Sequence, residues 1–281
     1  MDSLRILSLN CHGYNLGIQS YLFRVRDYYD IILLQETWLL DCTCSKLDCF
    51  SDCFMIYHSS AMQDKIMSGI MSGRPFGGTA VLVRHYLVSS CYRIITDNPR
   101  VTCVCLKNVC GPQGIVDRHI GCKFLFGGDF KVTKHSSSTC SLCVKHFTES
   151  NNMLWLDVLD GECDYTYHDD VNSHYSLLDY FIVSPSIANG CQSVSVLNDG
   201  DNPSDHLAIS CSINVTTRTT EPTVTGRHSN ALKNSKLNWN AANLDVYTNS
   251  VCVLLNHIDI PNFLLILYFV EVLATVFTVP A

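Results

Sequence analysis

Six polar side chains stand where apolar runs stop or start. Asn10 closes LRILSLN, Glu36 follows IILLQ, and Asp129 follows FLFGG. Asp179 lies inside SLLDYF, and Asp205 and His206 open HLAIS. Singly, each has an ordinary structural role, as a turn former, a helix cap or a satisfied core histidine. Together they supply what water needs to attack phosphorus. Carboxylate and amide oxygens suit a hard divalent cation. An acid can take the proton of the water, and a histidine held by a carboxylate can present a donor to a phosphate. Lys131, two residues past Asp129, adds a cation that could neutralise phosphate charge or pair with Asp129 and depress its basicity.

These residues must be brought together by strands. LRILSLN (4–10) alternates apolar and polar residues, and YDIILLQET reads as a strand buried on both faces. FMIYHSS (54–60), GTAVLVR (78–84), YRIITD (92–97) and RVTCVCLKNV (100–109) continue the series. GCKFLFGGDF, SLLDYFIVS (176–184) and HLAISCSI (206–213) complete it. Ile18, Leu22, Val25 and Tyr29 recur at helical spacing. A polar loop is expected after Asp129, then a helix around Met153–Leu159. Many short strands with few helices predict an α/β fold of packed sheets with helices outside.

The remainder divides by composition. Residues 214–236 are rich in Thr, Ser and Asn without apolar periodicity and read as a linker. Leu244, Tyr247, Val251, Leu254 and Ile258 step by three and four, which predicts an amphipathic helix over 237–261. The 262–281 tail contains seventeen nearly continuous apolar residues, 263–279. A spanning helix needs about 20 and tolerates a midpoint charge such as Glu271 poorly. A segment packed on the domain, or a chain end that never acquired its proper partner, is the expectation, rather than a membrane anchor.

The chain has 281 residues, 47% hydrophobic and 16% charged, with a net charge of −7. That balance gives no electrostatic footprint for tight, non-specific nucleic-acid binding, though it allows local contact at one groove. MDSLRILSLN has no secretory character, so the sixteen cysteines are expected to be reduced, in the nucleus or cytoplasm. Cys140 and Cys143 form a CxxC with His146 behind, but no second pair at finger-like distance makes structural zinc the lesser expectation.

Taken in order, LSLNCHG, LLQETWL, GGTAVLVR, GGDF, TYHDDVNSHYSLLDYFIVS and SDHLAI resemble the motifs of the endonuclease/exonuclease/phosphatase superfamily. QET, SLLDYF and the short SDH are most similar to the endonuclease domain of LINE-type retrotransposons. LNWNAANLDVYTNSVCVLLNHIDIP (237–261) loosely resembles the segment that follows that domain. The resemblance implies a DNase I-like two-sheet sandwich over residues 1–213 and Mg²⁺- or Mn²⁺-dependent hydrolysis of DNA phosphodiesters. It implies Glu36 as principal metal ligand with Asn10 assisting, and Asp205 as support for the metal or for His206. Asp129 would orient or deprotonate water, and His206, oriented by Asp179, would contact the phosphate. A phosphomonoesterase is the neighbouring reading within the same superfamily.

Three departures from the family pattern stand close together. Lys131 replaces the Asn of the GDFN motif, and Cys110 replaces a tyrosine of the preceding strand. The 111–128 segment is shorter than in relatives, as an internal deletion would leave it. They open a second expectation, a catalytically impaired remnant that retains binding.

Overall fold

The structure is a computed structural model that describes residues 2–62, 75–96, 98, 100–107, 109–110, 123–134, 136–156, 163–217 and 264–269. The N-terminal half contributes β1 (Asp2–Asn10), α1 (Leu16–Val25), β2 (Ile31–Gln35), β3 (Phe54–Ser59) and β4 (Thr79–Arg84). Next come β5 (Cys91–Ile94), β6 (Cys103–Lys107), the two-residue β7 (Val109–Cys110) and β8 (Lys123–Asp129). After α2 (Thr139–Ser150) follow β9 (Leu154–Leu156), β10 (Tyr167–Asp169), β11 (His174–Ser176) and β12 (Asp179–Val183). The described part closes with β13 (Cys191–Leu197), β14 (Ala208–Thr217) and β15 (Leu264–Phe269).

The strands form two large sheets and one hairpin. The first sheet runs β13-β14-β1-β2-β4-β3, with β7 paired to β14. The second runs β5-β6-β15-β8-β12-β9, and β10 and β11 make a separate hairpin. Alternation along the strands decides what each face meets. In β2, Ile31 and Leu33 turn towards the second sheet and join Val104, Leu106, Leu125, Phe181 and Val183 in one core. Ile32 and Leu34 turn the other way and pack with Ile18, Tyr21, Leu22 and Val25 of α1. The outer face of the second sheet packs Tyr180 and Ile182 with Val132, Val144 and Met153. The order helix, sheet, sheet, helix is the flanked sandwich that the strand pattern predicts.

Gly127 lets the sheets approach. A Cβ there would lie 2.8 Å from Leu33 Cδ1 and 2.9 Å from Phe181 Cε1, closer than real side chains come.

Four segments differ from the sequence expectation. The stretch read as a polar loop carries α2, capped by Ser138, whose Oγ accepts from the Ser141 N–H. The helix expected around Met153 begins instead as β9, which pairs antiparallel with β12. The last strand of the first sheet runs on to Thr217, four residues into the expected linker. Most unexpectedly, part of the apolar tail is β15, parallel to β8 and antiparallel to β6 in the middle of the second sheet. A central strand has ladder partners on both sides, which is how an apolar run satisfies its backbone inside a protein. No helix among the described residues is long and apolar enough to cross a membrane. The expected 237–261 helix and the rest of the 218–236 linker lie outside the described residues.

Candidate active site

The candidate residues gather at one end of the sandwich because their strands end there. β1 and β2 are parallel with Asn10 level with Gln35, which sets Asn10 and Glu36 side by side at the C-terminal ends of two central strands of the first sheet. In the second sheet β8 and β12 run antiparallel, and their register places Asp129 directly opposite Asp179. His206 enters just before β14 and bridges to Tyr167 of the hairpin.

Four buried side chains cluster here as two hydrogen-bonded pairs, His206 with Asp179 and Asn10 with Asp129. His206 Nδ1 lies 2.8 Å from Asp179 Oδ2. Its Nε2 lies 3.5 Å from Asn10 Nδ2 and 3.8 Å from Asp129 Oδ2. Asn10 Nδ2 donates to Asp129 Oδ2 at 3.1 Å, while Asn10 Oδ1 accepts from the His12 N–H. Asp129 Oδ1 accepts from the Lys131 N–H at 2.8 Å.

The surroundings raise both Asp129 and His206. Burial raises Asp129, the neighbouring Asp179 adds to it, and His206 and Lys131 offset part of the rise, leaving its pKa at about 7. Burial pulls His206 down, but the charge of Asp179 and the bond to it, with Asp129 and Asp205 behind, push it up to about 9. At neutral pH the imidazole is a cation among acids, and Asp129 is an acid poised to exchange a proton.

Glu36 joins this group through the Lys131 ammonium, and Asp205 is tied beside it by His12. Lys131 Nζ donates to Glu36 Oε1 at 2.9 Å and lies 4.0 Å from Asp129 Oδ2. Burial pushes the Glu36 carboxyl up, yet the Lys131 bond and charge, with His206 and His12, hold it below its usual value. Asp205 Oδ2 lies 2.7 Å from His12 Nδ1, and His12 stands edge-on to Trp38. Gly13 allows that ring approach, since a Cβ at its positive φ would run into the Trp38 ring.

Four non-glycine residues here, His12, Glu36, Trp38 and Lys131, adopt left-handed backbone conformations. Such conformations cost on the order of 1–3 kcal/mol each and concentrate where surrounding structure imposes them. The His12 and Lys131 N–H groups are held by the side chains of Asn10 and Asp129, and backbone bonds hold the segment of Glu36 and Trp38. Gly13 N donates to Glu36 O, Thr37 N to Gly78 O and Trp38 N to Gly77 O.

The residues proposed for a divalent ion fit it in kind, being two carboxylates and one amide oxygen. The Lys131 ammonium is a stand-in cation on Glu36, so that carboxylate is placed to take a positive charge. Among the described residues no three His, Cys, Asp or Glu side chains form a ready-made cage. An ion would therefore draw on Asn10 and exchange with Lys131, whose side chain is half exposed. Cys140, Cys143 and His146 all fall on α2. Cys110 lies on β7, its backbone opposite Thr216.

Sequence reasoning missed the supporting residues. Thr166 Oγ1 accepts from the Leu178 and Asp179 N–H groups at 3.0 Å each. Ser204 Oγ donates to Asn10 O and accepts from the His206 N–H. Tyr167 packs its ring 5.0 Å from that of His206. All of them stood inside quoted words, His12 in LSLNCHG, Thr166 and Tyr167 at the head of TYHDDVNSHYSLLDYFIVS and Ser204 at the head of SDHLAI, but nothing in those words set them apart from their neighbours.

Residues 7–206 match the endonuclease/exonuclease/phosphatase family model. The chain belongs to that family. Solved structures with the same fold include a 3′ phosphatase, NExo, from Neisseria, at 15% identity and TM-score 0.52, covering 75% of this chain and 99% of that one. The endonuclease domain of TRAS1, a telomere-specific non-LTR retrotransposon, shares 14% identity at TM-score 0.53, with 75% and 98% covered. The AP endonuclease LMAP from Leishmania major shares 13% at TM-score 0.53, with 75% and 87% covered. No curated protein sequence matches the chain. The DNase I-like sandwich expected from the motifs is thus the fold of this family member.

Proposed function

We propose that the chain hydrolyses phosphodiester bonds of DNA as a divalent-metal-dependent endonuclease of retrotransposon type. The observation that carries the reading is the placement of His206 between Asp179 at Nδ1 and Asp129 near Nε2. That arrangement gives a base and a cationic donor within reach of one reacting centre.

Asp129, with a pKa lifted to about 7, takes the proton of an attacking water. The water oxygen bonds to phosphorus, the bond to the leaving nucleoside oxygen breaks, and that oxygen takes a proton from solvent, to which Asp129 later returns its own. His206, protonated at neutral pH, presents Nε2–H to a non-bridging phosphate oxygen, and Asp179 holds the ring from the other side. Asn10 fixes Asp129 and bounds the space before His206. Glu36, with Asn10 and Asp205, would hold Mg²⁺ or Mn²⁺, which when bound supplies charge against the oxygens of the phosphate. The net charge of −7 disfavours broad, non-specific contact with DNA, which fits recognition at the site itself.

A second reading, an impaired remnant that still binds, draws on the Lys131–Glu36 pair, which sets a cation of the chain on the proposed metal ligand. Incubation with supercoiled plasmid separates the two. The endonuclease reading expects nicked circles with Mg²⁺, none with chelator, and none from Glu36→Ala. Nicking that survives both chelation and Glu36→Ala contradicts it, and absence of nicking under all conditions favours the remnant.

A further inference from the structure

We propose that Lys131 is a tethered counter-cation that competes with a divalent metal ion for Glu36 and keeps the site in a low-affinity state. The inference rests on the reading of Glu36 as a metal ligand and adds to it the control of occupancy.

The geometry is specific. The Lys131 N–H donates to Asp129 Oδ1, which pins residue 131 to the end of β8. Its φ of 50° then turns the side chain in a direction that an extended residue would not take. From there the ammonium reaches from the second sheet to the first, 2.9 Å from Glu36 Oε1 and 4.0 Å from Asp129 Oδ2. One positive charge therefore bridges two acids supplied by different sheets. An ion bound to Glu36 would be repelled by this ammonium and has to displace it.

The displacement is inexpensive but not negligible. The Lys131 side chain is 44% exposed and can swing into solvent, whereas Glu36 keeps only 18% exposure. An exposed ion pair is worth little, and burial of one partner raises its worth, so removing the charge should tighten ion binding by about fivefold to tenfold. Lysine is also a poor occupant of a left-handed position, where Asn is favoured several-fold. The ion pair helps hold it there.

The test is Mn²⁺ binding, read directly from the free-ion signal in electron paramagnetic resonance, with melting curves to check each fold. Lys131→Gln keeps the length and removes the charge. Lys131→Asn removes charge and suits the backbone, and Lys131→Arg keeps the charge. The two neutral variants should bind Mn²⁺ about fivefold to tenfold tighter than the natural chain, and the Arg variant should not. If the neutral variants bind like the natural chain while Glu36→Gln weakens binding, the competition proposal fails and Glu36 stands as a ligand. If Glu36→Gln leaves Mn²⁺ affinity unchanged in the Lys131→Gln background, the ligand reading fails and the competition proposal with it.

Discussion

Asp129 and Asp179 stand opposite each other in the β8–β12 ladder, both buried, and share a single imidazole. Like acids so placed cannot both ionise without a cation nearby, and His206 is that cation. The ladder register therefore decides the chemistry, since a slip of one residue in either strand would turn its acid to the other face of the sheet and part the pair.

That arrangement makes stability depend on pH. The folded pKa of His206 is raised from 6.5 to about 9, a shift of about 3 kcal/mol in favour of the charged form. The contribution is complete below pH 6.5 and is lost as pH rises through about 9. Asp179, Asp129 and Asp205 are the acids that raise it. Melting temperature should fall between pH 7 and 9 in the natural chain and stay flatter there in Asp179→Asn. Parallel curves would remove His206 as the cause.

Thr166 is expected to act through Asp179. Its hydroxyl satisfies two N–H groups at the start of β12, one of them belonging to Asp179. Thr166→Val keeps the volume and strands those donors, which should cost about 1–3 kcal/mol. Denaturant unfolding measures the loss, and Thr166→Ser should recover most of it.

A substitution at Gly127 tests how closely the sheets pack. Gly127→Ala forces Leu33 or Phe181 to move and should destabilise by about 1–3 kcal/mol, read from the unfolding midpoint. A neutral result would mean that the sheets lie farther apart.

Strand β15 can be tested by a proline. Ile266 pairs with Cys105 on one side and Phe124 on the other. A proline in a central strand removes a ladder bond and is rarely tolerated. Ile266→Pro should lower the melting temperature by several degrees, or leave the chain unfolded, whereas a tail outside the sheet would accept it without change.

How much of this was legible follows from where the signals lay. Asn10, Glu36, Asp129 and His206 could be read because each sits at the end of an apolar strand, where a polar residue stands out. Helix α2 was hidden because TCSLCVKHFTES is rich in Ser, Thr and Cys, which have modest helix propensity, and its apolar positions are few. β9 spans three residues, too short for any period to appear. The role of β15 could not be read because an apolar run looks the same whether it joins a sheet, a helix or a membrane. Its pairing with β6 and β8 depends on partners more than 130 residues away. The Lys131–Glu36 pair likewise needed the left-handed turn at Lys131, which no local pattern announces.

The most direct test of the central claim is single-turnover nicking of a labelled DNA duplex at saturating Mg²⁺ by the natural chain, Asp129→Asn, His206→Ala and the double variant. If Asp129 and His206 act as one unit on the scissile phosphate, each single change should lower the rate by about 100-fold or more. The double change should then add little, since groups that act together are not additive. Rates in all variants equal to that of the natural chain, or a double variant whose losses simply multiply, would contradict the account.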